Sequence, residues 1–125
     1  MRLNYNVVNL CMAFLLWVPS VFAGDVQAAQ ILEIQHLIKF VSESGCTFIR
    51  NGNEHTPKDA VEHIKKKYEY YKDKIDSAEK FIELSATQST LTKKKYMIKC
   101  PGEEVMENQK WLLKELNNLR GKTGP

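Results

Sequence analysis

Residues 46–59 read Cys46-Thr47-Phe48-Ile49-Arg50-Asn51-Gly52-Asn53-Glu54-His55-Thr56-Pro57-Lys58-Asp59, and the fold turns on them. Thr47, Phe48 and Ile49 are β-branched or aromatic, the composition of a strand. Asn51-Gly52 follows at once, and both residues tolerate the positive φ that a tight hairpin turn requires. The return strand, Asn53 to Thr56, is short and polar and reads as an edge. At Thr56-Pro57 the pattern changes from strand to helix. Thr56 can cap, Pro57 suits the first helical position, and Asp59 places a carboxylate in the positively polarised first turn. A hairpin that runs directly into a helix, with a cysteine at its start, is the centre from which the rest is read.

Downstream, Val61, Ile64, Tyr68, Tyr71 and Ile75 recur at helical spacing and form a core-facing stripe. His63, Lys67, Tyr70 and Lys74 share one flank of that stripe. Lys65 and Lys66 fall elsewhere, so the Lys65–Lys67 run reads as solvated helix surface and not as a single patch. Asp76-Ser77-Ala78-Glu79 is a second helix start, with Asp76 as cap and Glu79 in the capping-box position. Ala78, Phe81, Ile82 and Ser85 make its inner face, and Thr87 to Thr90 reads as a polar loop. Lys95 to Cys100 alternates like a strand, with Tyr96, Ile98 and Cys100 on one side, and Pro101-Gly102 ends it. Pairing that strand beside residues 46–50 would bring Cys46 and Cys100 within bonding reach. Glu107 to Arg120 is a last helix with Trp111, Leu112, Leu116 and Leu119 inward, and residues 121–125 read as a disordered tail. Upstream, residues 24–44 begin loosely and become an amphipathic helix with Ile31, Ile34, Ile38 and Val41 in its stripe, widened by Leu37 and Phe40. The order α-β-β-α-α-β-α predicts one α+β domain over residues 24–120: a small antiparallel sheet, hairpin plus a later strand, covered by about four helices.

Residues 1–23, MRLNYNVVNLCMAFLLWVPSVFA, have the marks of a cleavable signal peptide. Arg2 is a short basic start, Val7 to Val18 is apolar apart from Asn9, and Val21-Phe22-Ala23 offers small residues for cleavage before Gly24. The apolar run is short for a retained anchor, which takes about 20 residues. Cleavage removes Cys11 and leaves Cys46 and Cys100 in an exported chain, predicted to be periplasmic or secreted with no stable membrane anchor. An even pair in a small exported domain reads as a disulfide. The alternatives are two free thiols or a metal site shared with histidines, and no CxxC or HxxxH spacing supports the metal.

The whole chain of 125 residues carries a net charge of +3, which falls to about +2 without Arg2. That balance is too small to imply a nucleic-acid partner. There is no nucleophile motif, phosphate loop or zinc spacing, and no cofactor or metal is predicted. His55, His63, Glu79, Ser89 and Tyr96 carry groups suited to acid–base work, but nothing local sets a nucleophile beside a base, and no catalytic residue is assigned.

Several of these residues, in their order, resemble a known family. The pattern is an exported leader, Cys46-x-Phe48-x-Arg50-Asn51-Gly52, Ala60-x-x-His63-Ile64-x-x-Lys67-Tyr68, Ser77-Ala78-Glu79-x-Phe81-Ile82, Ser89-Thr90, Tyr96-x-Ile98-x-Cys100 and Trp111-Leu112. It resembles the bacterial exported Domain of Unknown Function family numbered five-three-two-nine. The resemblance implies a small disulfide-bearing periplasmic or secreted protein and brings no established activity. Where it would imply a serine pair and then Ser-Gly before the tyrosine, this chain has Ser89-Thr90 and Thr92-Lys93. Ser89 and Thr90 are therefore left out of the predicted site.

That site is Arg50, Asn51, His63 and Lys67. The hairpin has only Asn53 to Thr56 in which to return before the Pro57 helix begins, so its tip must lie near that helix's first turns. The arginine fork and the lysine charge suit an anionic or carbonyl-rich ligand. The reading is an uncharacterised cell-envelope protein acting as a non-catalytic binding module, its partner an envelope protein or a polar or anionic envelope polymer. The alternatives are a small periplasmic hydrolase-like enzyme using His63 and Glu79, or a secreted inhibitor or effector. Oligomeric state is not legible in the sequence.

Overall fold

A computed structural model describes residues 23–123. The predicted leader, with Cys11, lies outside the described residues apart from Ala23. Nine elements follow in order: α1 (Ala23–Glu43), β1 (Thr47–Arg50), β2 (Asn53–His55), α2 (Pro57–Tyr71), a 3-10 turn (Lys72–Lys74), α3 (Ala78–Ser85), β3 (Met97–Lys99), β4 (Met106–Glu107) and α4 (Asn108–Thr123). The strands form one antiparallel sheet in the order β2-β1-β3-β4. The architecture is the predicted α+β fold, with a two-residue β4 added at the sheet edge. Among the described residues no helix is long and apolar enough to cross a membrane.

The decisive stretch folds as its chemistry requires. Asn51 and Gly52 take φ of 50° and 79° at the hairpin turn. Thr56 caps α2, its hydroxyl accepting from the Asp59 backbone N–H at 3.2 Å, and Pro57 occupies the first turn. The β1–β3 register pairs Thr47 with Lys99 and Phe48 with Ile98. One further step along that antiparallel ladder sets Cys46 opposite Cys100. The two are joined by a disulfide with their Cα atoms 4.3 Å apart.

The core lies between the inward face of the sheet, with Phe48 and Ile98, and the apolar stripes of the helices. Ile34, Leu37 and Val41 of α1, Ile64 of α2, Phe81 and Ile82 of α3, and Leu112 and Leu116 of α4 are all buried. Trp111 stacks on Phe40 with centroids 4.4 Å apart and meets Phe48 edge-on. Removing a side chain of this size from water is worth about 1.5–3 kcal/mol.

Three local expectations are corrected. Ile31, expected in the α1 stripe, is 40% exposed, because the stripe meets its partners only from Ile34 onward. Ser77, not Asp76, caps α3: its hydroxyl accepts from the Lys80 backbone N–H at 3.0 Å. That register puts Lys80, not Glu79, at the third helical position, so no capping box forms and the Glu79 carboxylate turns to Arg120. Thr87 to Thr90 is the loop expected, though a well-packed one, since Thr87 and Ser89 are buried and Gln88 bridges to Lys95. Gly121 to Thr123 continue α4 where a disordered tail was predicted; the last two residues lie outside the described ones.

Candidate functional site

Tyr96, which leads into β3, is tied through its own backbone on both sides. Tyr96 N–H donates to the Thr87 carbonyl at 2.9 Å, and Asn108 N–H donates to the Tyr96 carbonyl at 2.9 Å. Asn108, itself buried at the start of α4, also donates its side-chain amide to the Ala86 carbonyl at 2.9 Å. These bonds fix the Tyr96 ring, and its hydroxyl reaches the flank of α2. Lys67 Nζ donates to that hydroxyl at 3.3 Å and to the Gln88 carbonyl at 2.8 Å. His63 Nε2 lies 3.0 Å from the same hydroxyl.

Burial and neighbouring charge shift all three groups. His63 is held down at about 4, first by burial and then by the positive charges of Arg50 and Lys67, with His55 and Lys66 adding to them. It is neutral near pH 7. Burial raises the Tyr96 hydroxyl, Tyr71 adds to this, and Arg50 opposes it. Tyr96 therefore keeps its proton, accepts from Lys67 and shares a hydrogen bond with His63 Nε2. Lys67 is lowered from the ordinary lysine value, first by burial and then by Lys93 and Arg50.

Arg50 enters from β1. Its Nη2 donates to His55 Nδ1 at 3.2 Å, while its Nε is buried without a partner. Asn51 accepts a hydrogen bond from the Thr92 hydroxyl at 2.8 Å, which ties the hairpin tip to the loop after α3. That loop is closed on itself: Ser89 N–H donates to the Lys94 carbonyl, Lys93 N–H to the Ser89 carbonyl, and Thr92 N–H to the Ser89 hydroxyl.

Between hairpin, α2 and loop lies an open cleft of about 600 Å³. Arg50, His55, His63, Lys66 and Lys67 contribute its nitrogen-bearing wall, and no aspartate or glutamate lines it. Among the described residues neither Arg50, Lys66 nor Lys67 is paired with a carboxylate. Asp59 and Glu62 border a smaller adjoining depression beside Arg50 and Lys66. Ser89, Thr90, Asn53 and the exposed Tyr70 and Leu91 complete the cleft.

All four predicted site residues, Arg50, Asn51, His63 and Lys67, come together here. Lys66, read from the sequence as solvated surface, also lines the cleft. Ser89 and Thr90, left out on the resemblance, line it too. Tyr96, read as a strand residue on the side of Ile98 and Cys100, is the hub that joins His63 to Lys67; the alternation gave its side, but nothing local named its partners. His63 and Glu79 do not form a pair. The Glu79 carboxylate is bound by Arg120 and held below the ordinary carboxylate range mainly by that bond. Among the described residues no group of three or more His, Cys, Asp or Glu is placed to hold a metal.

A disulfide-closed α+β domain with a cationic cleft between a hairpin and a helix is thus the class that fold and site define. The chain matches the family described as "Family of unknown function (DUF5329)" over residues 28–120, and it belongs to that family. It is 32% identical over 92 residues to the uncharacterized protein YfeK of Salmonella typhimurium, a match covering 73% of this chain and 75% of that protein. No solved structure matches it.

Proposed function

We propose that this protein is an exported bacterial binding module whose ligand is anionic and seats in the cleft between Arg50, His63 and Lys67. One observation carries the reading: a cleft of about 600 Å³ lined by three permanent or near-permanent cations and two histidines, with no carboxylate among its lining residues. Uncompensated positive charge on a concave surface focuses field and favours anions. Arg50 supplies a planar fork with Nε unpartnered, and Lys67 a point charge fixed by Tyr96 and the Gln88 carbonyl. No nucleophile stands beside a base in this set, which favours binding over catalysis. The leader motif supports export, and an envelope protein or anionic envelope polymer remains the partner class.

The test uses protein recovered from a periplasmic fraction, titrated calorimetrically with inorganic phosphate and with tri-glutamate at low and high salt. Binding that weakens with salt is expected. Arg50→Ala should reduce affinity about tenfold, the range of one charge-assisted hydrogen bond. Anion binding indifferent to Arg50→Ala, or no anion binding at all, overturns the reading.

A further inference from the structure

We propose that the occupant of the cleft is an acidic glycan, a chain of pyranose rings bearing carboxylates. This deepens the anion-binding reading and rests on it. A small anion would use only the cationic wall, yet the cleft has a second, apolar component. Tyr70 is 82% exposed and Leu91 94% exposed, the two most open of the large exposed apolar side chains among the described residues, and both line the cleft. Exposed apolar surface gathered beside a concave polar site marks a contact surface.

Neither side chain is carried by a loose end. Tyr70 meets Tyr71 in a T-shaped pair, with centroids 4.8 Å apart and planes at 88°, and most of its ring surface stays open to solvent. The Tyr71 hydroxyl lies 3.3 Å from the Thr90 hydroxyl, joining helix to loop. Leu91 sits on the loop that Ser89 closes, whose Lys93 takes a φ of 61°. Thr92 ties that loop to the hairpin through Asn51. A non-glycine residue in the left-handed region costs energy and persists only where the surroundings impose it. The loop is built to hold Leu91 where it stands.

An occupant suited to all of this needs three properties. It must present negative charge to Arg50 and Lys67, hydroxyls to the amides and hydroxyls of the opposite wall, and a rigid C–H face to Tyr70. A carboxylated sugar ring has the three together. An acidic peptide supplies charge on flexible methylenes with no flat face, and a neutral glycan leaves the cations unpaired. Neutral sugars are commonly held by carboxylates that accept from their hydroxyls, and the cleft has no carboxylate.

The test is calorimetric titration of the full purified protein with tri-galacturonate, maltotriose and tri-glutamate, in wild type and in Tyr70→Ala. Tri-galacturonate should bind at least tenfold tighter than tri-glutamate, and maltotriose far more weakly than either. Tyr70→Ala should bring tri-galacturonate down to the level of tri-glutamate and leave tri-glutamate unchanged; Tyr70 is exposed, so an unchanged thermal midpoint is expected and checks the fold. Equal affinities that Tyr70→Ala does not alter overturn the glycan while the anion cleft stands. Tri-glutamate binding tighter than tri-galacturonate assigns the cleft to an acidic peptide and overturns it likewise. No binding of either anion overturns the glycan together with the reading beneath it.

Discussion

Arg120 and Arg50 place the same guanidinium in opposite surroundings. Arg120, on α4, donates to Glu33 of α1 at 2.7 and 3.1 Å and to the Glu79 carboxylate at the start of α3. Three helices thus meet at one cation whose charge is answered twice, and its pKa is pushed still higher. Arg50 donates to the His55 ring and keeps a buried, unpartnered Nε, with Lys67 nearby and no paired carboxylate among the described residues. The first arrangement closes a helix corner. The second leaves positive charge unanswered at a concave surface. Charge count alone does not separate scaffold from site; local compensation does.

Three measurements break or sharpen that contrast. The largest effect is expected from Cys46→Ala with Cys100→Ala. Closing a loop across 54 residues is worth about 4 kcal/mol in the chain-entropy account. Denaturant titration should show a loss of that order, while tri-glutamate affinity per folded molecule stays the same, because the cleft is built on the hairpin tip, α2 and the loop. A loss of affinity that follows the loss of stability would erase the distinction between scaffold and cleft.

The next concerns the arginines themselves. Arg120→Ala should lower stability by no more than about 1 kcal/mol, since its pairs are solvent-exposed, and should leave anion binding intact. Arg50→Ala should do the reverse. Matching effects of the two substitutions on affinity would break the comparison.

The smallest effect is a pH dependence. His63 is about 4 in the fold against 6.5 in the unfolded chain. Between these values the unfolded chain holds the extra proton, so stability is fully present above pH 6.5 and falls as pH drops towards about 4. His63 is half-open to water, and with solvent screening the loss is about 1 kcal/mol. Urea midpoints at pH 7 and pH 4.5 should show it in wild type, with the difference smaller in His63→Gln. A bound anion offsets Arg50 and Lys67 and should reduce the same decline.

Much of this was legible in residues 46–59 and in the alternation of Lys95–Cys100. Turn chemistry at Asn51-Gly52, the Thr56 cap and the strand pairing that joins the cysteines are local or nearly local, and sequence carries local physics well. The short return to Pro57 also forced Arg50 and Asn51 towards His63 and Lys67. What escaped depends on distant partners. Two residues cannot display an alternation, so β4 left no trace. Asp76 and Ser77 are equally good caps on paper, and the packing of Ala78 chooses between them. Asn108 and Thr87 look like surface residues until the carbonyls of Ala86 and Ile82 require a buried donor. Thr87 to Thr90 reads as polar loop because the order of this segment, which runs on to Lys94, comes from backbone bonds to itself and a tether to Asn51.

The sheet ends in β2 on one side and β4 on the other, three and two residues long. β2 is polar and mostly exposed, with Glu54 at its middle. β4 passes straight into α4, whose first residue already donates its backbone N–H to Tyr96. A neighbouring molecule seeking to extend the sheet would find few free amides and carbonyls on either margin, and a charge on the longer one. Short, charged margins of this kind are how β-containing proteins avoid edge-to-edge assembly. Crowded together at high concentration, copies of the described sheet offer one another little backbone through which to polymerise.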